Sequence, residues 1–365
     1  MRKYSLEDKK DIFFMRRVLE LASQGWPKVL PNPLVGAVIT KNDRVISEGF
    51  HKKLGSPHAE IEAINSAKQS LKGATLYVNL EPCTHWGRTP PCVERIIKEG
   101  IKRVVIGSVD PNPLVSGKGV KMLRSKKIEV KVGVLRKECL KLNKVYFTFH
   151  KLKRPFIVLK IAQSLDGKIA TSKGTSKWIT SPRARIYNKK MRSEYQGILV
   201  GINTVLKDNP HLSSLKPPYP CKIILDTYLR LHPNLNIFKS PGEVWVFTSK
   251  FNKNKIKKLP ISRIFYVSSI KGLINLKEVL DILYKEGMSY ILIEGGAKIF
   301  GSFVKEKAVD KIIVYISGKI IGSEGLDSIY LQQHIPLHKT PLVNIKNLTR
   351  IGKDVYLEGE VKFPE

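Results

Sequence analysis

His58-Ala59-Glu60, Pro82-Cys83 and Pro91-Cys92 put one imidazole, two thiols and one spare carboxylate within 35 residues. Those groups are the parts of a hydrolytic zinc centre. One nitrogen and two sulfur ligands can hold Zn²⁺ and leave a fourth position for water, whose pKa the metal lowers towards neutrality. A neighbouring carboxylate outside the ligand set, here Glu60, can carry the water's proton to a departing amine.

An H-x-E followed by P-C and a second cysteine is the pattern of zinc-dependent base deaminases. The cysteines here are nine positions apart, wider than the generic C-x-x-C, so residues 84–91 form a loop held at both ends. A structural zinc site is the alternative, with His85 as fourth ligand, but Glu60 would then have no task. A Cys83–Cys92 disulfide is disfavoured. Only four cysteines occur in 365 residues, and the opening residues carry no apolar stretch, which points to a reducing, cytoplasmic setting. Cys139 and Cys221 have no partner pattern and read as packing residues.

The elements that must position these groups are legible in the apolar periodicity. Ile61, Ala63, Ile64 and Ala67 recur on one face and predict a helix over 60–69, with His58 and Glu60 in its first turn. Val93, Ile96 and Ile97 predict another starting at Cys92, where the helix terminus would lower a thiol pKa. A further helix is expected over 13–21, and β-rich runs lie at 35–40, 74–79 and 103–109. The alternation predicts a layered α/β sheet. Residues 151–155 read as a connector, giving domains 1–150 and 151–365.

The second half is again α/β, with strands expected at 156–162, 197–201, 222–226, 244–248, 264–267, 290–294, 311–316 and 355–363. Its sharpest signal is the buried strand at 290–294 running into Gly295-Gly296 and a helix start. Such a turn can seat a phosphate on free backbone N–H groups, or be plain turn geometry. It is not G-x-G-x-x-G, so a Rossmann dinucleotide site is not supported.

Composition narrows the partners. The formal net charge is +33, but the lysines are spread along both halves with no aromatic-interleaved basic stripe, which argues against specific nucleic-acid binding. No apolar run approaches the roughly 18–20 residues of a membrane span.

Taken together the motifs resemble the bifunctional deaminase/reductase family of riboflavin biosynthesis. The first half carries Pro31-Asn32-Pro33, His58-Ala-Glu60, Glu81-Pro-Cys83-Thr-His85-Trp-Gly-Arg88-Thr-Pro-Pro-Cys92 and Asp110-Pro-Asn-Pro. The second carries Lys160-Ile-Ala162-Gln-Ser164-Leu-Asp166-Gly167, Trp178-Ile-Thr180, Gly201-Ile-Asn203-Thr204, Asp208-Asn-Pro210 and Glu294-Gly-Gly. The nine-residue cysteine separation is that family's own.

The resemblance implies a cytidine-deaminase-like three-layer zinc domain followed by a dihydrofolate-reductase-like domain. It implies hydrolytic deamination of 2,5-diamino-6-(5-phosphoribosylamino)pyrimidin-4-one, then NADPH-dependent reduction of the ribosyl chain to ribityl. His58, Cys83 and Cys92 would hold zinc, Glu60 would move protons, and Asn32, His51, His85, Arg88 and Asp110 would line the substrate pocket. Around NADPH it places Ala162, Trp178, Thr204, Asp208, Gly296, Ala297, Lys298, Ile299, Phe300, Gly301 and Ser302. Facing the second substrate it places Ser176, Arg192, Leu212, Leu215 and Glu294. Leu215 stands where the family has arginine, and Trp86 where it often has histidine. The resemblance also suggests a homo-oligomer acting on a small phosphorylated pyrimidine. A nucleoside or tRNA-base deaminase with an inactive second domain is the competing reading.

Overall fold

Ser5 starts the first helix with reciprocal bonds: its hydroxyl accepts from the Asp8 N–H and the Asp8 carboxylate from the Ser5 N–H, both at 3.0 Å. The computed structural model describes residues 5–86, 90–331 and 335–364, and they divide into two units, 1–153 and 154–365.

In the first unit the elements run α1 (Leu6–Ser23), β1 (Gly36–Lys41), β2 (Arg44–Phe50), α2 (Ala59–Ser66), β3 (Thr75–Leu80), α3 (Cys92–Lys98), β4 (Arg103–Ser108), α4 (Lys118–Ser125), β5 (Glu129–Val132), α5 (Arg136–Leu142) and α6 (Lys144–Leu152). The sheet order is β2-β1-β3-β4-β5. β1 is antiparallel to β2 and β3, while β3, β4 and β5 are parallel.

Period-two alternation sorts the sheet's side chains between two helical layers. Val38, Tyr77 and Val105 pack against Phe14, Met15, Val18 and Leu21 of α1. Ala37, Ile39, Leu76, Val78, Val104 and Ile106 pack on the other face against α2, α3 and α4. This is the three-layer arrangement expected. Gly36 makes it close: a Cβ there would lie 2.3 Å from the Val18 carbonyl oxygen of α1.

The register decides where chemistry can gather. Gly36 pairs with Phe50, Ala37 with Val78, and Leu80 with Ser108. The start of β1 and the ends of β2, β3 and β4 therefore open on one edge. Asn32, His51, Cys83 and Asp110 all follow or precede those strand ends.

The second unit runs β6 (Phe156–Gln163), β7 (Lys168–Ala170), α7 (Pro182–Met191), β8 (Gly197–Gly201), α8 (Ile202–Asp208), β9 (Cys221–Leu225), β10 (Val244–Thr248), α9 (Lys253–Ile256) and β11 (Arg263–Tyr266). It continues with β12 (Ser269–Ile270), β13 (Leu273–Ile274), α10 (Leu276–Lys285), β14 (Tyr290–Ile293), α11 (Ala297–Lys305), β15 (Lys311–Ile316), β16 (Leu326–Asp327), β17 (Leu342–Ile351) and β18 (Asp354–Lys362). Its nine-stranded sheet has the order β11-β10-β9-β8-β14-β6-β15-β18-β17. All neighbours are parallel up to β15; β18 and β17 close that side as an antiparallel hairpin. Buried Ile, Leu, Val and Phe side chains from the strands and from α10 and α11 form its core.

One helix boundary needs correction, and several strands, β2 and β17 the longest of them, were not expected. The second helix ends at Ser66, not 69, because Ala67 turns extended at ψ 131°. β2 was missed because polar Arg44, Ser47 and Glu48 and Gly49 interrupt its apolar residues, leaving no apolar run. β17 was missed because most of its side chains are exposed, leaving no apolar signal.

Candidate active sites

His58 caps α2 in extended conformation, and Glu60 follows in the first helical turn. Cys92 is the first residue of α3, after Pro91. Cys83 lies in the loop after β3, not at a helix start. The His58 Nδ1 is 3.2 Å from the Cys92 Sγ and 3.6 Å from the Cys83 Sγ. All three ligand atoms lie within 4.8 Å of one another. Tetrahedral zinc with Zn–S near 2.3 Å and Zn–N near 2.0 Å needs nitrogen and sulfur about 3.5 Å apart, so the donors fit the ion.

His85 is not in this cluster among the described residues. Its Nδ1 is buried without a hydrogen-bond partner. With three ligands and no fourth among the described residues, the set is that of an open, catalytic site. Glu60 is buried beside it, 4% exposed; burial pushes its pKa up, opposed by the His58 imidazole. The bond from Cys92 and then the His58 imidazole hold the Cys83 thiol down at about 4, whereas that bond and burial push Cys92 up. The helix terminus therefore does not decide which sulfur ionises first. A divalent cation would deprotonate both.

The surrounding pocket is built on the same sheet edge. His51 Nδ1 lies 3.1 Å from the Pro57 carbonyl, which can only accept, so that nitrogen carries the hydrogen. Nε2 then accepts from the Asn32 amide at 3.2 Å, fixing that side chain's orientation. Burial lowers the His51 pKa and keeps the ring neutral. Asp110 is buried, which raises its carboxyl to about 6. It accepts from the Tyr146 hydroxyl at 3.1 and 3.2 Å and from the Asn112 N–H at 2.7 Å. Arg88 lies outside the described residues, and Trp86 is 71% exposed.

Glu81 was not singled out from sequence. Its carboxylate accepts from the N–H groups of Asp110, Gly117 and Val120 at 3.2, 2.9 and 3.1 Å. It thus ties the Pro82-Cys83 segment to the loop that carries Asp110. These contacts span 29 to 39 residues, beyond any local pattern.

In the second unit a cavity of about 1290 Å³ opens at the ends of β6, β8, β9 and β14. Carboxyl ends of parallel strands are where such sheets bind ligands. It is lined by every residue assigned above to NADPH or the second substrate except Gly301 and Leu215. Gly301 instead packs α11 against the chain: a Cβ there would lie 1.8 Å from the Tyr330 carbonyl oxygen. Leu215 is 55% exposed and is not among the residues lining the cavity.

Glu294 stands at the cavity floor, gripped by Arg192 at 2.7 and 2.9 Å and by the Asn188 amide at 3.2 and 3.3 Å. Burial alone would raise its pKa; the Arg192 guanidinium outweighs that and holds the carboxyl at about 2. Lys160 is 3.9 Å from Glu294 and 5.5 Å over the Tyr315 ring, and burial lowers its pKa. A lysine inside the apolar run of β6 was the available signal for it. The Gly295-Gly296 turn needs no left-handed backbone. Gly295 admits Ile299, 3.0 Å from where its Cβ would be, and α11 begins without a side-chain cap, leaving N–H groups at the cavity.

The family described as the cytidine and deoxycytidylate deaminase zinc-binding region matches residues 8–108, and the RibD C-terminal domain matches residues 155–357. The riboflavin biosynthesis protein RibD of Aquifex aeolicus is 45% identical over 316 residues, covering 86% of this chain and 88% of its own. The chain belongs to the RibD family. The Escherichia coli RibD is 35% identical, covering 95% of this chain and 98% of its own. The solved Thermotoga maritima deaminase/reductase is 39% identical, with a TM-score of 0.83 over 97% of this chain and 99% of its own. Acinetobacter baumannii RibD gives 32% identity and a TM-score of 0.87 over 98% of this chain and 100% of its own. As a RibD protein the chain is a bifunctional deaminase and reductase of riboflavin biosynthesis, with a zinc-binding deaminase domain. No described helix is long and apolar enough to cross a membrane.

Proposed function

We propose that the first unit hydrolyses the 2-amino group of 2,5-diamino-6-(5-phosphoribosylamino)pyrimidin-4-one. The second then reduces the ribosyl chain of the resulting uracil with hydride from NADPH. The observation that carries the first step is Glu60, a buried carboxylate beside three zinc donors but outside their cluster. Zinc, when held by His58, Cys83 and Cys92, supplies an activated water and a Lewis acid. Glu60 would take the proton from that water and give it to the leaving amine. Asn32, with its amide fixed by His51, and Asp110, held by Tyr146, present one acceptor oxygen and one carboxylate to the ring and sugar.

For the second step the cavity supplies position and dryness, since the cofactor carries the hydride. The N–H groups at the start of α11 suit the cofactor's phosphates. Glu294 is occupied by Arg192 and Asn188, so it orients those groups and sets the field at Lys160 rather than acting as a free base. Lys160 places a largely buried cation where a sugar oxygen can take a proton or hydrogen bond. Mass spectrometry of products from the zinc-loaded chain, with and without NADPH, tests the reading. Uracil alone without NADPH and the ribityl product with it are expected. No deaminated product would overturn the first assignment, and arrest at the uracil with NADPH present the second.

A further inference from the structure

A phosphorylated substrate in the second cavity needs a cation that is not already engaged. Most cationic side chains around that cavity are taken. Arg192 is bound to Glu294 and to the Ser213 carbonyl, and Lys160 faces Glu294. Lys177 donates to the Asp208 carbonyl at 2.8 Å. Arg185 donates to the Thr180 carbonyl at 2.8 Å and lies 4.1 Å over the Trp178 ring. Arg230 donates to Asn203 at 2.7 Å. The Lys207 ammonium sits over Gly174, 1.7 Å from where a Cβ would be. Lys298 belongs to the first turn of α11, on the wall assigned to the cofactor.

Lys189 is different. It is exposed, lines the cavity and has no acidic partner among the described residues. Arg185, Asn188, Lys189 and Arg192 fall at i, i+3, i+4 and i+7 and share one face of α7 and its last turn. That face is the one holding Glu294. The Lys189 carbonyl accepts from the Leu215 N–H at 3.3 Å, so residues 212–215 run beside it. Leu212 of that segment lines the cavity, while Leu215 and Lys216 do not. An exposed lysine is most often only solvated surface. Lys207 and Lys298 also lack an acidic partner among the described residues, but they stand beside residues assigned to the cofactor, whereas Lys189 lies on the α7 face that holds Glu294.

We infer that Lys189 holds the substrate's phosphate during the reduction. The inference rests on the reductase reading proposed above. Its test follows NADPH oxidation by the zinc-loaded full chain, fed the phosphoribosylaminouracil, with the dephosphorylated riboside as substrate or competitor. Lys189→Met is expected to raise KM for the phosphorylated uracil roughly ten-fold, the size of one charge-assisted contact at a partly exposed site, with kcat retained. The constant for the riboside should not move. Adding Leu215→Arg to Lys189→Met is expected to recover most of the loss, by placing a guanidinium beside the vacated position. An unchanged KM in Lys189→Met, or an equal rise for both ligands, overturns the assignment and leaves the reductase reading standing. Absence of NADPH oxidation by the unaltered chain overturns that reading and this inference with it.

Discussion

Tyr146 donates its hydroxyl to both carboxylate oxygens of Asp110, at 3.1 and 3.2 Å, across 36 residues of chain. The bond favours the ionised form and opposes the burial that raises Asp110 to about 6. As pH falls through about 6 the carboxylate is lost, and with it the sugar contact proposed for it. Tyr146→Phe removes the bond, so the acid rise in KM for deamination should begin at higher pH. Initial rates of ammonia release across pH 5–8 would show it, and superimposable profiles would exclude a role for the hydroxyl.

Glu60→Gln should abolish ammonia release while zinc content, read by atomic absorption, stays at one ion per chain. The three donors are untouched and only the proton carrier is lost. Proton transfer by a positioned group typically contributes 10²–10⁴-fold. A variant retaining a tenth of the rate would assign the proton to another group.

Chelation of the metal should separate the two reactions. Ammonia release should stop, while NADPH oxidation with the uracil supplied directly should persist. The second cavity draws its lining from residues 160–330, which contain none of the three zinc donors. Loss of both activities on chelation would contradict this.

Glu294→Gln should cost stability in a pH-dependent way. The Glu294 carboxyl is depressed from 4.5 to about 2, with Arg192 outweighing burial. Its ionised form therefore contributes stability above about pH 4.5, and that contribution disappears as pH falls towards 2. Thermal midpoints of the two proteins should differ at pH 7 and converge in acid. A constant difference would mean the ion pair is not the cause.

Glu81→Gln keeps the volume but leaves one oxygen to serve three backbone donors. A buried donor left unsatisfied costs about 1–3 kcal/mol. A lower unfolding midpoint in denaturant is expected, together with a higher KM for deamination, because the Asp110 loop is freed.

The zinc donors and their carboxylate were legible because their roles depend on residue type and short spacing. The α/β class was legible because β3, β4, β6, β8, β9, β10 and β14 are built around short runs of apolar residues. What escaped depends on distance along the chain. Glu81 and Tyr146 act through partners 29 or more residues away, and no local pattern encodes such bonds. β17 escaped because an edge strand with exposed side chains carries no burial signal. The thiol ionisation order escaped because the neighbouring sulfur and imidazole outweigh a helix terminus.

The five-stranded and nine-stranded sheets share no strand, and each candidate reaction draws its described side chains from one unit. For inheritance this makes the chain two mutational targets on one gene. A lesion in either core can be selected against, or compensated, without rewriting the other. Drift at a position such as Leu215 is thereby confined to the half that bears it.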